Sequence, residues 1–150
     1  FIRNIIRSLT NSRMTPYYEY VMNENPRLYA VRGAVCCSNT IESISEWVPA
    51  LYRSLLKKNT ISEIDIVSVV FSVTDDLNVL NPATALRKAS FAENVPLFAC
   101  AEPKIAGALP SVIRILLTFY GLHVPLPVYL NGAEILRPDQ FLPVSGSANL

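Results

Sequence analysis

The sequence predicts an α/β domain built on a mixed sheet, with its elements in the order βαβαβαββ. Three observations carry that expectation. Residues 66–73 are β-branched nearly throughout, and residues 95–101 form a continuous apolar run of strand length, the composition of strands buried on both faces. Other segments space their apolar residues at the helical period of about 3.6, and Thr40 and the pair Asn81-Pro82 stand where such segments begin. Asn131-Gly132 between two apolar runs is the strongest short-range hairpin signal.

Taken in order, residues 28–34 (Leu-Tyr-Ala-Val-Arg-Gly-Ala) read as a strand that ends on Arg32 and Gly33, where a glycine allows a sharp turn or a close approach to a ligand. Thr40 caps a helix running to about Lys58. Its buried face is Ile41, Ile44, Val48, Leu51, Leu55 and Leu56, Pro49 kinks it, and Asn59 ends it. Residues 62–65 form a capped turn and 66–73 the second, central strand, followed by the loop Thr74-Asp75-Asp76-Leu77-Asn78. Asn81 caps and Pro82 opens a short helix carrying Arg87 and Lys88. The third strand ends on a carboxylate, Glu102, locked in place by Pro103. After Gly107, apolar Leu109, Val112, Ile113, Leu116 and Tyr120 follow the helical period and predict a helix over 107–120. Arg114 is the single charge on it, in a narrow polar stripe with Ser111 and Thr118. Two strands then flank Asn131-Gly132, and Arg137-Pro138 stops the second.

At 150 residues and 51% hydrophobic content, the chain can bury one good core. A formal charge of +1, with no Lys/Arg-rich run, argues against a nucleic-acid partner, because phosphate binding needs clustered positive surface. Three cysteines, Cys36, Cys37 and Cys100, make neither a disulfide framework nor a metal-binding spacing, which fits a reducing compartment. One histidine, His123, gives a zinc site or a serine-type triad little to build on. Apolar runs stop well short of the roughly 18 residues of a membrane span, so the expectation is a soluble, cytoplasmic protein with no membrane partner.

The charges that stand out are Arg32, Arg87, Glu102 and Arg114, with Tyr129 beside the hairpin turn and Arg137 as a further candidate. Buried charges need partners, either each other or a ligand. Loops beyond strand ends are where α/β proteins place ligands, and several arginine forks against few acids suggest an anionic small molecule with more than one acidic group. There is no Gly-rich phosphate loop and no activated nucleophile. An enzyme with this inventory works by holding and polarising its substrate. A strict period of two after the hairpin puts Arg137 on the sheet face opposite Tyr129.

Val31-Arg32-Gly33-Ala34, Ser72-Val73-Thr74-Asp75-Asp76-Leu77, Pro82-Ala83 with Arg87, Val95-Pro96, Glu102, Gly107 with Arg114, Tyr129-Leu130 and Leu136-Arg137-Pro138-Asp139 occur in that order. Together they resemble the AroH-class chorismate mutases, the small trimeric α/β type, over residues 27–139. The resemblance implies a homotrimer with a pseudo-α/β-barrel of packed sheets and active sites in clefts between subunits. It implies conversion of chorismate to prephenate without cofactor, metal or covalent intermediate, in aromatic amino acid biosynthesis. By position, Arg32 and Tyr129 would hold a substrate carboxylate and Arg114 would donate to the ether oxygen whose bond breaks. Glu102 would accept from the substrate hydroxyl, and Arg87 and Arg137 would shape the mouth of the cleft. Ala99, Asn81 and Thr84 depart from the family's pattern, which carries a cysteine, an aromatic and a lysine there.

Two other function classes are open to the same residues: a trimeric binding or regulatory protein for an anionic small molecule, without turnover, and a small trimeric imine deaminase. Residues 1–26, with Arg3, Arg7 and Arg13 and no acid before Glu19, form an extension outside the core. Without an initial Met, they suggest a fragment or processed product and the remnant of an organelle-targeting peptide, or else an amphipathic helix on Ile2, Ile5, Ile6 and Leu9. Residues 140–150 are expected to be a mobile tail that orders over the cleft with ligand.

Overall fold

The computed structural model describes residues 25–140. The sequence expectations for the leader before residue 25 and for the tail beyond residue 140 lie outside the described residues. Among the described residues, five strands form one mixed sheet: β1 (Arg27–Cys36), β2 (Ile66–Val73), β3 (Leu97–Ala101), β4 (Val112–Gly121) and β5 (Val128–Leu130). Their order across the sheet is β3-β2-β4-β1-β5. Helix α1 (Ile41–Asn59) packs on β1 and β5, and helix α2 (Pro82–Lys88) packs on α1 and β3.

The largest departure from expectation is β4. The segment predicted as a helix is the central strand, antiparallel to β1 on one side and to β2 on the other. The element order among the described residues is therefore βαβαβββ, with short 3-10 turns between. Ile113, Ile115, Leu117 and Phe119 alternate into the core at 0, 2, 0 and 3% exposure. Arg114, Leu116, Thr118 and Tyr120 take the other face. That face also carries apolar side chains, so a period of two looked like a period of 3.6. The run of β-branched residues around Val112, Ile113, Ile115 and Thr118 is the signal that favours a strand.

Other elements follow their local chemistry. Thr40 caps α1 by accepting from the Ser43 N–H at 3.1 Å, and Thr60 closes it in a left-handed conformation. Pro49 lies inside α1 and is buried. Ile44, Val48, Leu51, Tyr52 and Leu55 bury one face of α1 against Val31, Val35, Val69, Phe71, Ile113, Ile115 and Leu117, whereas Ile41, expected in the core, is exposed. Each large side chain so buried contributes about 1.5–3 kcal/mol. Asn81 caps α2 by accepting from the Ala83 N–H at 2.9 Å, with Pro82 at the first turn as expected.

Strand β3 lies at the sheet edge, not between two covered faces as its composition suggested. Phe98 is 66% exposed there. Both helices cover one face of the sheet. Paired residues point to the same side, so the open face carries a row of Phe98, Val70, Leu116 and Arg32 across β3, β2, β4 and β1. Leu28 and Tyr120 extend this apolar surface.

The expected hairpin is absent. Asn131 and Gly132 both take left-handed conformations (φ 52° and 95°), as such a turn requires, but β5 runs parallel to β1 and the chain then enters a 3-10 turn, Ala133–Leu136. Ala133 is fully buried with Ala34, Val112 and Tyr129, and this packing draws the chain under the open face instead of back along β5. Asn131 donates to the Cys36 carbonyl at 2.7 Å and fixes the turn to β1.

Gly33 is in the middle of β1, and its reason is packing, not a turn or a ligand. A Cβ there would meet the Val128 carbonyl oxygen at 2.9 Å and side-chain carbons of Leu51 and Ile115 at 3.1 Å. Backbone cannot yield as a flexible side chain can. Gly33→Ala is therefore expected to lower stability by about 1–3 kcal/mol. In urea this shows as a lower midpoint at unchanged slope, and a loss under about 0.5 kcal/mol would contradict the packing.

Candidate active site

The open face gathers most of the charges singled out by sequence. Ladder partners align Cys100, Ser72, Arg114, Ala34 and Tyr129 in one row across all five strands. Arg32, mid-strand on β1 and not at a strand end, belongs to the neighbouring row opposite Leu116. Arg32 and Arg114 are thus diagonal neighbours on adjacent strands, both on the open side.

Glu102 follows β3 directly. Its N–H donates to the Val73 carbonyl at 2.9 Å, extending the β2–β3 ladder by one residue. From there its carboxylate reaches across β2 to β4, where Oε1 forms an ion pair with Arg114 Nη1. Ser72, the β2 residue between them, donates its hydroxyl to Glu102 Oε2 at 3.3 Å. Side-chain exposure of Arg114 and Glu102 is 31% and 21%, so both charges are partly withdrawn from water and offset each other's desolvation. Beside the pair opens a cavity of about 290 Å³ lined by Thr74, Asp76, Glu102, Pro103, Leu109 and Arg114.

Tyr129 is buried at the far end of the row, packed on Ala34, Val112 and Ala133. Arg137 follows the 3-10 turn that replaced the expected strand, so the period of two does not carry through to it. It donates to Asp139 through Nε (2.9 Å) and Nη2 (2.8 Å). The Asp139 carboxylate, with a smaller contribution from Tyr129, holds the guanidinium charged beyond its ordinary range. Arg137 and Tyr129 are therefore brought together, where strand periodicity placed them apart.

Arg87 is not part of this grouping within one chain. It sits on α2, on the covered side of the sheet, and donates to the Val95 carbonyl at 2.7 Å. Asn81 and Ala99 line one further cavity of about 330 Å³ with Cys100 and Thr74. Burial pushes the Cys36 thiol up and, with smaller contributions from Cys36 and Asp76, pushes Cys37 up to about 11. Both stay protonated near neutral pH, and neither is an activated nucleophile.

One group that sequence reasoning passed over fixes the floor of the site. Asp76 accepts from the Ser111 N–H at 3.2 Å and from the Ser111 hydroxyl at 2.5 Å. Thr74 exchanges two hydrogen bonds with the Val112 backbone, its hydroxyl accepting from the Val112 N–H at 3.0 Å and its own N–H donating to the Val112 carbonyl at 3.2 Å. The loop after β2 is thereby tied to the start of β4, two residues from Arg114. Ser111 holds a left-handed conformation (φ 57°) at that tie. The clue in the sequence was Thr74-x-Asp76, a short polar pair that satisfies backbone donors.

The profile of the family described as chorismate mutase type I matches residues 28–140. The chain belongs to the chorismate mutase type I family. It is 35% identical over 115 residues to chorismate mutase AroH of Thermus thermophilus, covering 73% of this chain and 93% of that protein. To chorismate mutase AroH of Bacillus subtilis it is 32% identical over 114 residues, with 73% and 89% covered. A solved chorismate mutase from Clostridium thermocellum superposes with a TM-score of 0.68 at 32% identity, over 71% of this chain and 98% of that one. The matched region contains the whole open face, from Arg32 to Arg137.

Hydrogen bonds from Ser111 first, and from Thr74, hold the Asp76 carboxyl below the usual carboxylate range. A lowered folded-state value means the stabilisation is present above the unfolded value of about 3.9 and is lost as pH falls through the folded value. Asp76→Asn is expected to cost roughly 0.5–1 kcal/mol at pH 7, discounted for exposure, and to flatten the stability profile below about pH 4. Denaturation midpoints from pH 2 to 7 for both proteins check this, and parallel profiles would refute it.

Proposed function

We propose that this protein is an isomerase that converts chorismate to prephenate by a non-covalent pericyclic rearrangement at the open sheet face. The observation that carries the reading is the half-buried Arg114, paired with Glu102, in line with Tyr129 and next to Arg32 in a chain of this family.

In the reaction an ether C–O bond breaks while a C–C bond forms, and negative charge builds on the ether oxygen. A fixed cation at that oxygen favours the transition state over the bound substrate. Glu102 engages one terminal nitrogen of Arg114 and leaves the other N–H groups of the fork for the substrate. Because the pair already has its orientation, little reorganisation accompanies the reaction. In this reading the second oxygen of Glu102, which Ser72 engages here, accepts from the substrate hydroxyl. Arg32 and Tyr129 hold one carboxylate, and Arg137 guards the mouth of the cleft. The rate enhancement then comes from orientation and electrostatics, and the reaction takes no cofactor.

A homotrimer completes the cleft in this proposal. Arg32, Glu102, Arg114 and Tyr129 already share one face of one chain, so a neighbour is not needed to bring them together. It is needed to cover them and to supply Arg87, which its own chain keeps on the other side of the sheet. The exposed Phe98, Leu116, Tyr120 and Leu28 are the apolar surface such a neighbour would bury. Light scattering is expected to show a trimer, and an active monomer would overturn the shared cleft.

Loss of chorismate absorbance with equimolar prephenate is the expected assay result. Ammonia release from an imine, or ligand-induced stabilisation without turnover, would favour a deaminase or a binding protein instead. Arg114→Ala is expected to lower kcat by at least about 10²-fold, with Arg114→Lys recovering part of the loss by keeping the charge without the fork. A change below about threefold in both would remove Arg114 from the mechanism.

A further inference from the structure

The connection from α2 to β3 holds two non-glycine residues, Ser90 and Ala92, in left-handed conformations (φ 59° and 55°). Such strain persists only where the surroundings over-determine it. Ala92 is fully buried, and its N–H donates to Glu63 Oε1 at 2.8 Å. The same oxygen accepts the Tyr52 hydroxyl at 2.9 Å. Glu63 belongs to the 3-10 turn Glu63–Asp65 that leads into β2, so one carboxylate joins α1, the start of β2 and the α2–β3 connection.

The bonding does not stop at Ala92. Its carbonyl accepts from the Val95 N–H at 3.1 Å, and the Val95 carbonyl accepts from Arg87 Nη2 at 2.7 Å. Glu63, Ala92, Val95 and Arg87 thus form three hydrogen bonds in series. On the flank of the same turn, the Phe91 ring lies 5.8 Å from Tyr52, and the Arg53 guanidinium carbon is 6.0 Å from the Phe91 centroid. Burial first, and then the hydrogen bond to Glu63, push the Tyr52 hydroxyl above its ordinary range, with a smaller opposing contribution from Arg87.

We propose that Glu63 is a positioning residue for substrate binding: through Ala92 and Val95 it sets where the Arg87 guanidinium is held. The proposal rests on the reading of Arg87 as part of the cleft mouth. Arg87 spends one N–H group on a backbone carbonyl whose location depends on a strained turn. Without the Glu63 anchor the turn relaxes toward ordinary right-handed or extended conformations, Val95 shifts, and the guanidinium loses its fixed origin. Binding of the anionic substrate weakens while the chemistry at Arg114 is untouched. A residue that acts only on stability has no reason to separate these two.

The experiment measures kcat and KM for chorismate in Glu63→Ala, Glu63→Gln, Arg87→Ala and the double variant Glu63→Ala/Arg87→Ala. Expected are a rise in KM of about tenfold for Arg87→Ala and about fivefold for Glu63→Ala, with kcat within about twofold of wild type. Glu63→Gln, which keeps an acceptor for Ala92 and Tyr52, is expected to restore KM. The double variant is expected to match Arg87→Ala alone, because two residues acting through one another are not additive. Should Glu63→Ala fold poorly, Glu63→Asp, which keeps the charge but shortens its reach to the Ala92 N–H, is the second variant, and a KM rise at unchanged kcat is expected of it too. An unchanged KM in Glu63→Ala beside a raised KM in Arg87→Ala overturns the relay alone, as does full additivity in the double variant. An unchanged KM in Arg87→Ala overturns the reading of Arg87, and the relay with it.

Discussion

The Arg114 guanidinium at the centre of the sheet is paired with Glu102, which faces it across a single intervening strand. Neither partner is fully solvated, and either one alone would be a poorly compensated charge on a half-covered surface. That constraint reaches back into the fold. Glu102 must extend the β2–β3 ladder to arrive at the right height, and Ser72 must present its hydroxyl between the two charges. β4 must be a strand, paired on both sides, for Arg114 to project from the open face at all.

The sheet is covered on one face only, and this asymmetry joins stability to function. Core residues of β1, β2 and β4 alternate toward α1, so the intervening residues are all delivered to the same opposite surface. A protein that needs several arginines around one anion can obtain this arrangement from ladder register alone. The same surface exposes Phe98, Leu116 and Tyr120, apolar side chains of the kind that mark an interaction surface when they cluster. The proposed substrate cleft and the proposed subunit contact therefore draw on one face, and a trimer makes the two uses complementary.

Around this face, short polar side chains do the positioning that longer elements cannot. Asp76 and Thr74 tie the loop after β2 to the start of β4, Asn131 ties the turn after β5 to Cys36, and Asn59 holds both the N–H and the carbonyl of Leu126. Each joins a loop to a neighbouring element through a side-chain hydrogen bond to backbone, and most do so where the chain leaves a strand. Several of the tied positions, Ser111, Asn131 and Ala92, carry left-handed conformations outside glycine, so the ties and the strain occur together.

By itself the sequence determined the elements whose signals are local. Thr40 and Asn81-Pro82 marked helix starts because capping involves only the next few backbone N–H groups, and residues 66–73 marked β2 because β-branching acts within each residue. The ordered set from Arg32 to Arg137 also made the family legible, along with the need of Arg114 and Glu102 for partners. Tertiary structure decided the rest. Whether residues 112–121 coil or extend depended on two flanking strands that can be supplied only by distant parts of the chain, and an apolar open face concealed the alternation. Asn131-Gly132 fixed a local turn, but the burial of Ala133 against Ala34, Val112 and Tyr129 decided where the chain went next. Arg137 met Tyr129, and Arg87 was set apart from Arg114, for the same reason: side-chain neighbours across a sheet are chosen by pairing register and layer packing, which no local period encodes.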